Sequence, residues 1–163
     1  MKNARWLVVC VLTAVLAGCG SATDSITFKP PANYTVAASV GPFMQMWKGP
    51  QQSALMLMAL PTKIDLAKAV SSSDIKGAQI EKESTIAICG DQPAYYVSMI
   101  GDREEFGSAG PAGAAEKRQI DFLATNVNDK TYMAMYIRPV GTPADAGAEA
   151  AIHNVCANKS SSQ

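Results

Sequence analysis

Three pairs of methionine residues are the most distinctive chemistry-bearing feature of the sequence. The pairs are Met44 and Met46, Met56 and Met58, and Met133 and Met135. A spacing of two places both side chains of a pair on one face of a β-strand. If the first two pairs lie in a hairpin, Met46 can face Met56 while Met44 faces Met58. Soft thioether sulfurs select Cu(I), so these four residues are a candidate metal site, and core filling is the alternative role.

Acidic side chains offer a second kind of candidate site. Glu81 and Glu83 would share one face of a strand, and paired carboxylates can bind Ca²⁺ or work as acid and base. Lys82 lies between them, so we favour solvated ion pairs across neighbouring strands. His153 is the single histidine, and no serine or cysteine lies in a recognisable nucleophile elbow. We therefore expect no catalytic centre, no cofactor and no enzymatic activity.

The first eighteen residues have the pattern of an export signal. Lys2 and Arg5 are followed by residues 6–17, which are apolar except for Thr13. Twelve helical residues span about 18 Å, which is well short of a hydrocarbon core of about 30 Å. We predict that residues 1–18 are a signal peptide rather than a transmembrane helix, and a buried core helix is the alternative.

The sequence Leu16-Ala17-Gly18-Cys19 resembles the lipobox of bacterial lipoproteins. The resemblance implies that Cys19 is acylated and becomes the first mature residue, so that the chain is anchored to a membrane by lipid. Residues 19–25 would then be a flexible tether. Asp directly after the cysteine tends to retain such proteins at the inner membrane, and Gly20 stands there. In a cell with two membranes the resemblance therefore favours the outer membrane, with the domain facing the periplasm.

The remaining cysteines form an even pair. Cys10 leaves with the predicted signal peptide and Cys19 takes the lipid, which leaves Cys89 and Cys156. Because the cell envelope is oxidising, we predict a disulfide between these two residues, and two buried free thiols are the alternative.

Charge and composition narrow the class of partner. The chain has 14 Lys and Arg and 14 Asp and Glu, which gives a formal net charge of zero. A balanced chain lacks the basic surface that nucleic acid attracts, so we expect no nucleic-acid partner. The 48% hydrophobic and 17% charged residues are typical of a folded domain.

The pattern along the mature chain predicts one α+β domain over residues 26–157 and a polar tail over 158–163. A short opening strand ends at the consecutive prolines Pro30 and Pro31. Further strands are predicted over residues 43–47, 54–60, 78–89, 94–101, 117–126 and 130–139. Helical spacing is found over residues 61–70 and again after Thr142, which we expect to cap the last helix. Cys156 lies on the apolar stripe of that helix.

This order of elements is similar to that of the PsbP-like/DcrB-like family. The residues that carry the resemblance are Phe28-Lys29-Pro30-Pro31, the hairpin around Trp47, the helix after Pro61, the corner Ile88-Cys89-Gly90 and the closing helix. The resemblance implies an antiparallel sheet of six to seven strands with helices packed on both faces. It also implies a non-enzymatic binding or accessory module, here for a protein or cell-wall partner. A small-ligand or Cu(I)-binding protein that uses the methionine face is the alternative.

Overall fold

The computed structural model describes residues 25–68, 78–102 and 117–158, and within these ranges the chain is mostly β-structure. The strands are β1 (Ile26–Thr27), β2 (Thr35–Val40), β3 (Met44–Lys48), β4 (Ala54–Leu60), β5 (Gln79–Ile88), β6 (Gln92–Asp102), β7 (Lys117–Val127), β8 (Lys130–Pro139) and β9 (Cys156–Ala157). One α-helix, α1, covers Ala146–His153, and short 3-10 turns cover Pro50–Gln52 and Leu66–Lys68.

Seven of these strands form one antiparallel sheet. Their order across the sheet is β2-β3-β4-β8-β7-β6-β5, so β2 and β5 are its two edges. The strands β1 and β9 form a separate two-stranded antiparallel sheet that joins the two ends of the domain. Asn158 extends this small sheet, because its backbone N–H donates to the carbonyl of Ser25.

The two faces of the large sheet differ in what covers them. One face, here called the helix face, packs against α1 and β1 through residues that include Leu55, Leu123 and Ile152. The opposite face carries the methionine pairs and a second apolar cluster that includes Val97, Ile120 and Phe122. This division follows from strand alternation, because successive side chains point to opposite faces.

The predictions of an α+β domain and of helices on both faces are wrong, because the described residues are mostly β-structure. The described residues contain a single α-helix, which lies on the helix face. Residues 61–65, predicted to be helical, are held outside a helix by the β7–β8 hairpin. The Ile64 N–H donates to Thr131 Oγ1 at 3.0 Å, and Asn126 Nδ2 donates to the Ile64 carbonyl at 2.9 Å. Only the 3-10 turn Leu66–Lys68 follows, while residues 69–77 lie outside the described residues.

The closing helix starts later and ends earlier than predicted. Its N-cap is Asp145 rather than Thr142, since the Asp145 carboxylate accepts hydrogen bonds from the N–H groups of Gly147 at 2.8 Å and Ala148 at 3.2 Å. The helix ends at His153, and Cys156 lies in β9 instead of on the helical stripe. The chain leaves the helix there because β9 pairs with β1.

Candidate functional site

The structure confirms the predicted pairing of the first four methionines. In the β3–β4 hairpin, Met44 lies opposite Met58 and Met46 lies opposite Met56. The central strand β8 continues both rows, because Met133 pairs with Met58 and Met135 pairs with Met56. Residues directly opposite in an antiparallel pair point to the same face. Six thioethers therefore form two rows of three on one face, and we call this group the methionine face.

The methionine face is partly accessible to solvent. All six of its side chains are half-buried, whereas Met99 on the same side of the sheet is 1% exposed. Met133 and Met135 pack against the second apolar cluster, as do Leu66 and Ile80. Neither apolar cluster of the described residues includes the four methionines of β3 and β4.

The two glutamates expected to share a face are directed to opposite faces. The pairing of β5 with β6 shifts between Ile80 and Lys82, so Glu81 is the extra residue of a β-bulge. Glu81 Oε2 accepts a hydrogen bond from Gln119 at 2.7 Å on the helix face. Glu83 accepts one from the Tyr95 hydroxyl, and Tyr95 belongs to the cluster on the opposite face.

A buried polar network on the helix face was not predicted from the sequence. Asp121 of β7 is 4% exposed and accepts hydrogen bonds of 2.8 Å from the Tyr96 hydroxyl and from Ser98 Oγ. Its other oxygen forms an ion pair with Arg138 of β8. The only sequence signal was the apolar run around Asp121, since an isolated acid there requires buried partners.

Tyr96 is held neutral within this network. Burial of the hydroxyl, together with its hydrogen bond to Asp121, raises the pKa of Tyr96 to about 12. Its ring also packs against His153, with 5.3 Å between the ring centroids. His153 is half-buried against this ring, and the Asp121 oxygens accept from three donors. The arrangement suits a fixed structural network.

Cys89 and Cys156 form the disulfide that the sequence predicts. The Sγ atoms of Cys89 and Cys156 are 2.00 Å apart, and the residues are separated by 67 positions. Cys89 lies in the turn between β5 and β6, and Cys156 begins β9. The bond therefore ties the edge hairpin of the large sheet to the small sheet.

A shallow cleft of about 290 Å³ lies beside the start of α1, away from the methionines. It is lined mainly by the 3-10 turn at Pro50 and by residues 142–145. Three of its polar groups are already paired, since the Asp145 N–H donates to the Tyr136 hydroxyl and the Ser53 hydroxyl contacts that of Tyr34. We assign no ligand to it.

The predicted lipidation site Cys19 and the signal peptide lie outside the described residues. Within residues 25–68, 78–102 and 117–158 there is no helix of the length and apolar character needed to cross a membrane. The same ranges contain no group of three His, Cys, Asp or Glu side chains placed to bind a metal ion. That finding does not concern thioethers.

Comparison with known proteins shows similarity in fold only. The chain matches no protein-family model, and no curated protein matches its sequence. A crystal structure from Bacteroides thetaiotaomicron VPI-5482 is similar, with a TM-score of 0.56 and 13% identity over 87% of this chain and 48% of that one. This chain thus spans about half the length of that protein. The Ran-binding protein Mog1p of Saccharomyces cerevisiae has a TM-score of 0.48 and 10% identity over 71% of this chain and 72% of Mog1p.

The similarity to the Bacteroides protein concerns the fold, and it names no family for this chain. Because the identity is only 13%, no residue of this chain is assigned a role from the Bacteroides protein.

Proposed function

We propose that this chain is a non-enzymatic, lipid-anchored protein of the cell envelope that binds an extended segment of a protein partner along the sheet edge β2. The proposal rests on the solvent exposure and the uncharged sequence of this edge. All six residues of β2 are exposed, and the strand contains no charged residue. An edge strand presents backbone N–H and C=O groups to which another chain can add a strand.

The opposite edge of the sheet provides the contrast. Strand β5 carries Glu81, Lys82 and Glu83 in succession, and Glu81 forms a β-bulge. Charges and bulges on an edge discourage pairing with another strand. β2 also has a bulge, near Ala37, but its side chains are small or apolar. The two edges therefore differ in chemistry, and only β2 combines exposure with an uncharged sequence.

Apolar side chains flank β2 on both faces. Val36 lies opposite Trp47 and is 59% exposed, whereas Val40 lies opposite Met44 and is 55% exposed. The bulge between them directs the two valines to opposite faces. Phe43, in the turn between β2 and β3, is 54% exposed. A strand added to β2 would thus gain apolar contacts on both of its sides, which favours a peptide segment over a cell-wall glycan.

The test compares lysine substitutions on the two edges. In envelopes of the producing cell, a photo-crosslinker at Ser39 should capture a protein partner, and Val36→Lys with Val40→Lys should reduce the yield roughly tenfold. The matched control is Thr85→Lys with Ala87→Lys on exposed positions of β5, which should leave the yield unchanged. Equal yields from both double variants, each shown to be folded by circular dichroism, contradict the proposal.

A further inference from the structure

The methionine face concentrates sulfur in a way that filling a core does not require. Its rows, Met44-Met58-Met133 and Met46-Met56-Met135, cross three neighbouring strands without interruption. In such rows the Cβ atoms of opposed residues are about 4.5–5.5 Å apart. The flexible side chain of methionine, with three rotatable bonds, allows sulfurs at that spacing to turn toward one point.

The four methionines of β3 and β4 combine this close spacing of sulfur atoms with access to solvent. Each is half-buried, so each has apolar support from the sheet and contact with solvent. Met99, which has the same chemistry, is buried in the second apolar cluster and has no methionine opposite it, since its partners are Ile80 and Ile120. The sheet thus separates one enclosed methionine from a partly open group.

We propose that Met44, Met46, Met56 and Met58 bind a soft monovalent metal ion, Cu(I), with Met133 and Met135 extending the site. Thioethers are neutral, soft ligands that select Cu(I), whereas Mg²⁺ and Ca²⁺ require oxygen ligands. Three or four neutral sulfurs leave the complex with a single positive charge. The ion binds without a change of oxidation state, so no electron donor or acceptor takes part.

The first test follows each methionine separately. The full chain, labelled with ¹³C at the methionine methyl groups and with Cys10 and Cys19 replaced by serine, is titrated with Cu(I) under anaerobic conditions. We expect the methyl signals of Met44, Met46, Met56 and Met58 to shift, while that of Met99 remains in place. Absence of shifts in the four, or shifts confined to Met1 and Met99, overturns the proposal.

The second test separates the sulfur from the apolar side chain. Leucine keeps the apolar character and approximate volume of methionine but lacks the thioether. The quadruple variant with Leu at positions 44, 46, 56 and 58 should bind Cu(I) roughly tenfold more weakly or worse in a chelator competition. The single variant Met99→Leu is the matched control and should bind as the parent chain does. Equal affinities for both variants contradict the site.

The proposed Cu(I) site and the proposed partner edge consist of different residues. The leucine substitutions leave all residues of β2 in place, so crosslinking from Ser39 should persist in the quadruple variant. A chain that loses Cu(I) binding but keeps its partner has two separate functions, and a failure of either experiment leaves the other intact.

Discussion

At the scale of single residues, the Asp121 carboxylate is the most constrained group described. It is almost fully buried between strands, where Arg138 offsets its charge and the hydroxyls of Tyr96 and Ser98 donate hydrogen bonds to it. Arg138 adds a cation–π contact with the ring of Tyr136, at 5.2 Å. A buried charge is tolerated only while such partners are present, so the network depends on each member.

Replacing Arg138 with methionine removes the opposite charge and leaves Asp121 buried without it. We expect Arg138→Met to lower the free energy of unfolding by about 3 kcal/mol, measured by urea denaturation. The control is Lys68→Met, which breaks the ion pair between Lys68 and Asp65 in an exposed 3-10 turn. Because exposed pairs contribute at most about 1 kcal/mol, the control should lose far less stability. Equal losses in the two variants would contradict the role of burial.

The glutamates of β5 show where inference from residue spacing fails. A spacing of two predicts one face, and the methionine pairs obey that rule because their strands pair without interruption. Glu81 and Glu83 do not, because one bulge changes the alternation between them. A bulge depends on how the neighbouring strand pairs, which the local sequence of β5 does not specify.

At the scale of elements, the disulfide is the main covalent constraint on how the ends of the domain meet. The small sheet of β1 and β9 has only two residues in each strand. Such a short ladder contributes few hydrogen bonds, and the Cys89–Cys156 bond holds β9 beside the β5–β6 turn. Gln92 reinforces the same junction, since its side chain donates to the Val155 carbonyl at 2.9 Å and accepts from the Ala157 N–H at 2.9 Å.

Reduction of this disulfide should destabilise the domain. In the chain-entropy model, a loop of 67 residues contributes roughly 4 kcal/mol to the free energy of unfolding. We expect urea denaturation of the parent chain to shift to lower urea when dithiothreitol is added. The double variant Cys89→Ala with Cys156→Ala should already be destabilised and should not respond to dithiothreitol. A parent chain that is reduced, as shown by its mass, yet unfolds at the same urea concentration would contradict this expectation.

Elements with a strong apolar pattern were predicted well. Elements whose bounds depend on contacts with other parts of the fold were not. The runs Ala54–Leu60 and Lys130–Pro139 are strands with the predicted bounds, because both are long, apolar and close to turn residues. Strand β2 was missed, since its six residues are all exposed and show no alternation between buried and solvent positions. Helix α1 was placed too early because Thr142 and Asp145 are both capable caps, and the contacts that select Asp145 are formed only on folding.

At the scale of the whole molecule, the large sheet differs between its two faces and between its two edges. From face to face, one side packs against α1, and the other carries the second apolar cluster beside the half-buried methionines. From edge to edge, β5 is charged and β2 is not. This asymmetry gives the sheet two chemically distinct surfaces, to which we assign the proposed partner edge and the proposed Cu(I) site, and neither includes the buried network around Asp121.

The proposed anchor would place these surfaces close to a membrane. Residues 20–25 separate Cys19 from β1 and span at most about 20 Å when fully extended. We expect Cys19→Ser to move the protein from the membrane to the soluble fraction, because the acyl chains that supply the membrane affinity are lost. Cys10→Ser is the matched control and should stay with the membrane. Retention of Cys19→Ser in washed membranes, or a native chain without acyl mass, would contradict the anchor while leaving the binding edge and the methionine face to their own tests.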